Sequence, residues 1–123
     1  MRVLVLALLL LPALAGCTGL GSSTRSCAAS SPLDEGVRIE LPEPDRAVGY
    51  CMKLRANDFD HEAMAKVGAD GVVWFALPQE GRYAAHVHVE QAEDKFCADD
   101  WAAYIVYEGG LLNVTAEKHV VCS

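Results

Sequence analysis

From residue 33 onward the apolar residues of this chain recur at every second position, in short runs cut by Gly, Pro and Asp. A period of two belongs to a pleated strand with one buried face, whereas a helix repeats its apolar stripe every 3.6 residues. Val37 to Leu41 alternates and stops at Pro42-Glu43-Pro44, and Ala47 to Arg55 sets Val48, Tyr50, Met52 and Leu54 on one side. Val72 to Leu77 is introduced by Asp70-Gly71 and closed by Pro78-Gln79-Glu80-Gly81. Arg82 to Gln91 is the clearest run: Tyr83, Ala85, Val87 and Val89 point one way, and Ala84, His86, His88 and Glu90 the other. Ala102 to Tyr107 and Leu111 to Cys122 flank Glu108-Gly109-Gly110, where glycines suit a tight hairpin turn. Only His61 to Val67, with its Glu, Ala, Met and Lys, favours a helix. About six or seven short strands with regular turns predict an all-β, small antiparallel sandwich over residues 33–123.

The first sixteen residues obey another rule. Met1-Arg2 opens with a positive charge, Val3 to Leu11 is unbroken apolar sequence, and Leu14-Ala15-Gly16 bring small side chains up to Cys17. A spanning helix needs roughly 20 apolar residues. This run is shorter, is broken by Pro12 and leads directly into Gly, Ser and Thr, the pattern of a secretory signal peptide. Leu14-Ala15-Gly16-Cys17 resembles the lipobox of bacterial lipoproteins. The resemblance implies loss of residues 1–16, acylation of Cys17 (a thioether-linked diacylglyceryl group, palmitate among the chains) and a lipid-anchored place in the bacterial cell envelope. Two or three acyl chains hold a protein stably where one does not. Thr18, where Asp would signal retention, implies the outer membrane if the cell is diderm, and the outer leaflet if it has a single membrane.

Removing the leader leaves 107 residues and takes the formal charge from −7 to −8, since Arg2 leaves with it. With no cluster of Lys and Arg, nucleic acid is excluded as a partner, and anionic headgroups repel the chain, so the anchor must do the holding. Four cysteines remain: Cys27, Cys51, Cys97 and Cys122. An even number in an exported chain predicts two disulfides, with three connectivities open. Sequence-local closure favours Cys27–Cys51 with Cys97–Cys122, each worth about 3 kcal/mol through loop entropy. A four-cysteine metal site lacks any C-x-x-C pair. Residues 17–32, the acylated cysteine and then TGLGSSTRSCAASSP, predict a flexible Gly/Ser/Ala tether. With Cys27 bonded, residues 18 to 26 would span about 16 Å.

Ala69-Asp70-Gly71-Val72-Val73-Trp74-Phe75-Ala76-Leu77-Pro78-Gln79-Glu80-Gly81-Arg82-Tyr83 resembles the DG-x-x-x-F-x-LP-x-x-G-x-Y hairpin of bacterial immunoglobulin-like and transthyretin-like (prealbumin-like) domains. The resemblance implies turn glycines and a tyrosine packed at the start of the returning strand. It is structural and brings no active site.

Candidate chemistry centres on His86-Val87-His88-Val89-Glu90, where alternation puts His86, His88 and Glu90 on one face. Imidazole and carboxylate suit zinc or copper, and His119 or Glu117, on one face of the last strand with Asn113 and Thr115, could complete such a metal site. The plainer reading is a solvated strand face. Asn57-Asp58-Phe59-Asp60-His61-Glu62 starts like a calcium loop, but Ala63 replaces the turn glycine and Ala69 the bidentate Glu; Ala65 likewise breaks H-E-x-x-H. The pattern there is that of a charged connection. Among the rings, Trp101, after Asp99-Asp100, is expected to be the most exposed. No nucleophile elbow or phosphate loop is present, no thiol is left free, and the carboxylate pairs Glu93-Asp94 and Asp99-Asp100 read as loop neighbours.

These readings lead to a non-enzymatic binding or structural module of the cell envelope, held to the membrane through lipidated Cys17, with an envelope protein as partner and no cofactor. The alternative is a zinc or copper protein using His86, His88, Glu90 and His119. A second alternative is a hydrolase inhibitor, for which the sequence offers no specific feature.

Overall fold

The structure, a computed structural model, describes residues 22–123; the leader, Cys17 and the first part of the tether lie outside the described residues. Seven strands follow one another: β1 (Gly36–Glu40), β2 (Cys51–Ala56), β3 (Glu62–Lys66), β4 (Val72–Ala76), β5 (Gly81–Glu90), β6 (Cys97–Glu108) and β7 (Leu111–Cys122). They build a two-stranded sheet, β1-β4, and a five-stranded sheet in the order β3-β2-β5-β6-β7. Every strand pairing is antiparallel. The protein is a two-sheet β-sandwich carrying two disulfides.

The period-two pattern is what closes the core. On β5, Tyr83, Ala85, Val87 and Val89 are buried while Arg82, Ala84, His86, His88 and Glu90 are not. They join Val37 and Ile39 of β1, Met52 and Leu54 of β2, Val73 and Phe75 of β4, and Trp101, Ala103 and Ile105 of β6 in one cluster. Each fully buried side chain of this size contributes about 1.5–3 kcal/mol relative to exposure. The β6–β7 hairpin turns at Gly109 and Gly110, whose φ angles are 61° and 78°. Positive φ at both central residues is the type I′ turn that matches strand twist, and it suits glycine. The carboxylate of Glu80 accepts both turn amides, from Gly109 at 3.1 Å and Gly110 at 2.8 Å.

Three expectations are corrected. His61 to Val67 is not helical: Glu62–Lys66 forms β3, pairing Ala63 with Leu54 and Ala65 with Met52. The burial of Ala65 against the core outweighs a propensity difference of a few tenths of a kcal/mol per residue. The segment resembling a hairpin crosses between the sheets instead, because β4 pairs with β1 and β5 with β2 and β6. Tyr83 is nevertheless buried at the start of β5, and its hydroxyl donates to the carbonyl of Gln79, the corner contact found in immunoglobulin-type sandwiches. Burial pushes its phenol above the ordinary tyrosine value. Trp101, expected to be exposed, is fully buried, and its indole Nε1 donates to the Pro42 carbonyl at 2.8 Å; Tyr104 is the exposed ring of that strand.

The disulfides are Cys27–Cys51 and Cys97–Cys122. Cys97 and Cys122 are direct cross-strand partners on β6 and β7. Cys27–Cys51 instead ties the chain before β1 to the start of β2.

Candidate functional site

Register decides what each polar residue of the large sheet can meet. On the outer face, β5 presents His86 opposite Ala102, His88 opposite Asp100 and Glu90 opposite Ala98 of β6. The next step across pairs Asp100 with His119, Ala102 with Glu117 and Ala98 with Val121 of β7. His86, His88 and Glu90 thus share a face, and His119 and Glu117 share it too. However, β6 stands between the two histidine strands, and two strand spacings are about 9.5 Å. His88 Nδ1 lies 3.3 Å from Asp100 Oδ1, while His119 Nε2 meets Glu117 Oε1. Among the described residues no three His, Cys, Asp or Glu side chains converge as metal ligands. What the register does bring together is a row, His88–Asp100–His119, with Asp100 between the rings.

Asp99 and Asp100, read as loop neighbours, lie within β6 and point to opposite faces. Asp99 is buried beneath the sheet, accepting from Arg46 Nε at 2.6 Å and Gln91 Nε2 at 3.0 Å. Burial raises its carboxyl, but those hydrogen bonds and the charges of Lys118 and Arg46 outweigh it and hold it below the ordinary aspartate range. The pair closes the end of the core next to Trp101, over which Lys118 sits 5.6 Å from the ring centroid. Sequence reasoning missed it because Arg46 comes from a loop fifty-three residues away. The acidic connection of residues 57–61 closes as an aromatic corner: the Phe59 ring meets Tyr83 edge-on at 5.6 Å.

The two edges of the large sheet differ. The β3 side is met at its last residue, Lys66, by the segment expected to be a tether. Ala28 accepts from Lys66 N at 3.0 Å, Ala29 bridges Lys66, and Ser30 Oγ accepts from Trp74 N of β4 at 3.1 Å. Where β2 stops short, Ser23 takes its place beside β5, donating to His88 O at 2.7 Å and accepting from His88 N through Oγ at 2.9 Å. Ser22 Oγ accepts from Glu90 N at 3.3 Å. Residues 22–30 are therefore part of the domain, because they satisfy backbone groups that the short β2 and β3 leave open.

The β7 side has no such tie among the described residues. β7 is twelve residues long and pairs only with β6. Leu111 is 77% exposed and Val120 57%, with Leu112 and Val121 also open. A cleft of about 300 Å³ lined by Asp34, Leu77, Tyr107 and Leu112 opens beside its first residues. The candidate site is thus an edge, with an apolar residue pair at each end and Asn113, Thr115, Glu117, Lys118 and His119 between. Comparison of this chain with protein families, curated proteins and solved structures finds no match.

Proposed function

We propose that this chain is a lipid-anchored protein of the bacterial cell envelope that catalyses no reaction and binds a protein partner by strand addition along β7. The observation that carries the reading is the outer edge of β7, twelve residues long and unpaired among the described residues, while the opposite edge, β3, has only five residues and is bonded to residues 28 and 29 at Lys66. A tight turn bonds its flanking residues to each other, so Glu108–Leu111 is a hydrogen-bonded pair and alternation follows from it. Leu112, Val114, Ala116, Lys118 and Val120 then turn their N–H and C=O groups away from β6. An added strand would use those groups for affinity, and the cleft beside Leu112 for side-chain selection. The lipobox-like Leu14-Ala15-Gly16-Cys17 supports the anchor and the envelope location.

The reading is tested in the cell with a photo-crosslinking residue at Glu117 on β7 or, for comparison, at Glu62 on β3. A discrete adduct from position 117 and none from position 62 is expected. An equal yield from both, or none from β7, overturns it.

A second reading, a zinc or copper site, would require His88, Asp100 and His119 to be drawn together across β5, β6 and β7. A folded-state ligand at 100 times its dissociation constant adds about 2.7 kcal/mol. Melts with zinc or copper(II) should then shift upward in the native protein and not in His88→Ala.

A further inference from the structure

Cys17 and Ser22 are five residues apart, and an extended chain advances at most about 3.6 Å per residue, so the anchor cysteine lies within about 18 Å of Ser22. Ser22 is hydrogen-bonded to Glu90, which pairs with Ala98, which pairs with Val121. The attachment point therefore belongs to the end of the sheet formed by the close of β5, the start of β6 and the close of β7. The Gly109-Gly110 tip is ten residues of β7 further on, roughly 34 Å at strand rise. A reach of about 18 Å cannot let the domain stand on that tip while Ser22 stays docked. The sheet end at Glu90, Ala98 and Val121 must face the membrane, or the domain must lie on its side.

The surface at that end chooses between the two. Phe96, in the β5–β6 connection, is 72% exposed, the most exposed ring the structure describes. Ser123 N donates to Phe96 O at 2.9 Å, which places the ring's backbone against the end of β7 beside exposed Val120 and Val121. Phe96 and Val121 also line one shallow groove with Lys95, His88 and Glu90. Glu93 and Asp94 share the connection, so charge does not draw this end to anionic lipid; apolar insertion does. An aromatic and two valines beside the anchor suit the headgroup–acyl boundary.

We propose that this end of the sandwich is a membrane-contact surface, with Phe96 entering the interface of the bilayer that holds Cys17 and β7 rising away from it toward Leu111. The proposal rests on acylation of Cys17 as argued above. It explains why an edge strand open to partners lies on a protein held so close to a membrane: the anchored end is spent on lipid and the long edge projects outward.

The test uses the full lipoprotein purified from membranes and reconstituted in phosphatidylcholine vesicles. Intact mass first reads the acyl groups on Cys17. Phe96→Trp and, as the far-end control, Leu111→Trp are then compared with the native protein, whose buried Trp101 and half-buried Trp74 set the background, using lipids spin-labelled at the headgroup–acyl boundary. A blue-shifted, quenched component at position 96 and none at position 111 is expected. An acylated protein with equal quenching at both positions, or none at 96, overturns the contact surface and leaves the anchor standing. A protein without the acyl mass overturns the anchor and this orientation with it.

Discussion

The two margins of the large sheet face the same physical problem and answer it differently. An edge strand presents unpaired N–H and C=O groups that invite another strand. At β3 the answer is short length and a tie at its last residue: residues 22–30 bond to Lys66 of β3 and to β4 and β5, and Cys27–Cys51 pins them there. At β7 the strand is more than twice as long as β3 and its outer side is open among the described residues. Its protection is confined to polar side chains, Glu117, Lys118 and His119, in the second half of the strand. A chain that spends a disulfide and nine residues tying down one margin, and leaves the other open among the described residues, is arranged to pair at β7.

The largest expected effect tests what supports the bare edge from beneath. Trp101→Ala should cost about 3–5 kcal/mol, because it empties a fully buried site on β6, the strand with which β7 pairs. Urea unfolding should show a lower midpoint with unchanged slope; a loss below 1 kcal/mol would mean that β6 does not hold the edge.

Next come the two disulfides, whose loops are almost equal at sequence separations of 24 and 25. Loop entropy alone gives each about 3–4 kcal/mol. Removing the first pair (Cys27→Ser with Cys51→Ser) should cost more than removing Cys97 and Cys122, since it also frees residues 22–30. Amide exchange should rise at β3 in the first variant and stay native there in the second. Equal losses with β3 still protected would break the comparison.

A smaller effect comes from acid. Asp99 has its pKa lowered in the folded state, so its contribution is present above the unfolded value of about 3.9 and is lost as pH falls through the lower folded value. Arg46→Met should cost about 1–3 kcal/mol near neutrality. Melts repeated at falling pH should show the gap between variant and native protein closing only below pH of about 4. A gap that is constant with pH would assign the loss to packing of the arginine stem.

The smallest is at the edge itself. Leu112→Lys should change stability by no more than about 0.5 kcal/mol, yet abolish the crosslink formed from position 117. Loss of stability on that scale without loss of the adduct would move partner binding away from β7.

Legibility followed the range of each interaction. The β5 face, the Gly109-Gly110 turn and the separation of His86, His88 and Glu90 from Tyr83, Ala85 and Val87 were readable, because alternation and turn chemistry act over neighbouring residues. The strand identity of residues 62–66 was not, since its isolated preference is helical and only Met52 and Leu54 opposite make it extended. Trp101 and Asp99 misled for the same reason. Asp99-Asp100 looks like a polar loop until Arg46 and Gln91 supply partners from elsewhere. The docking of residues 22–30 had one signal, Cys27; the Ser, Thr and Ala around it satisfy backbone groups, and backbone groups carry no sequence.

What the amino-acid order determined alone was periodicity, turns and the supply of thiols, which are local or compositional and suffice for an all-β, disulfide-bearing sandwich. Tertiary structure decided which strands became neighbours. It put β6 between the two histidine strands, tied down one edge and left the other open among the described residues, because register and edge exposure depend on pairings between residues far apart in the chain.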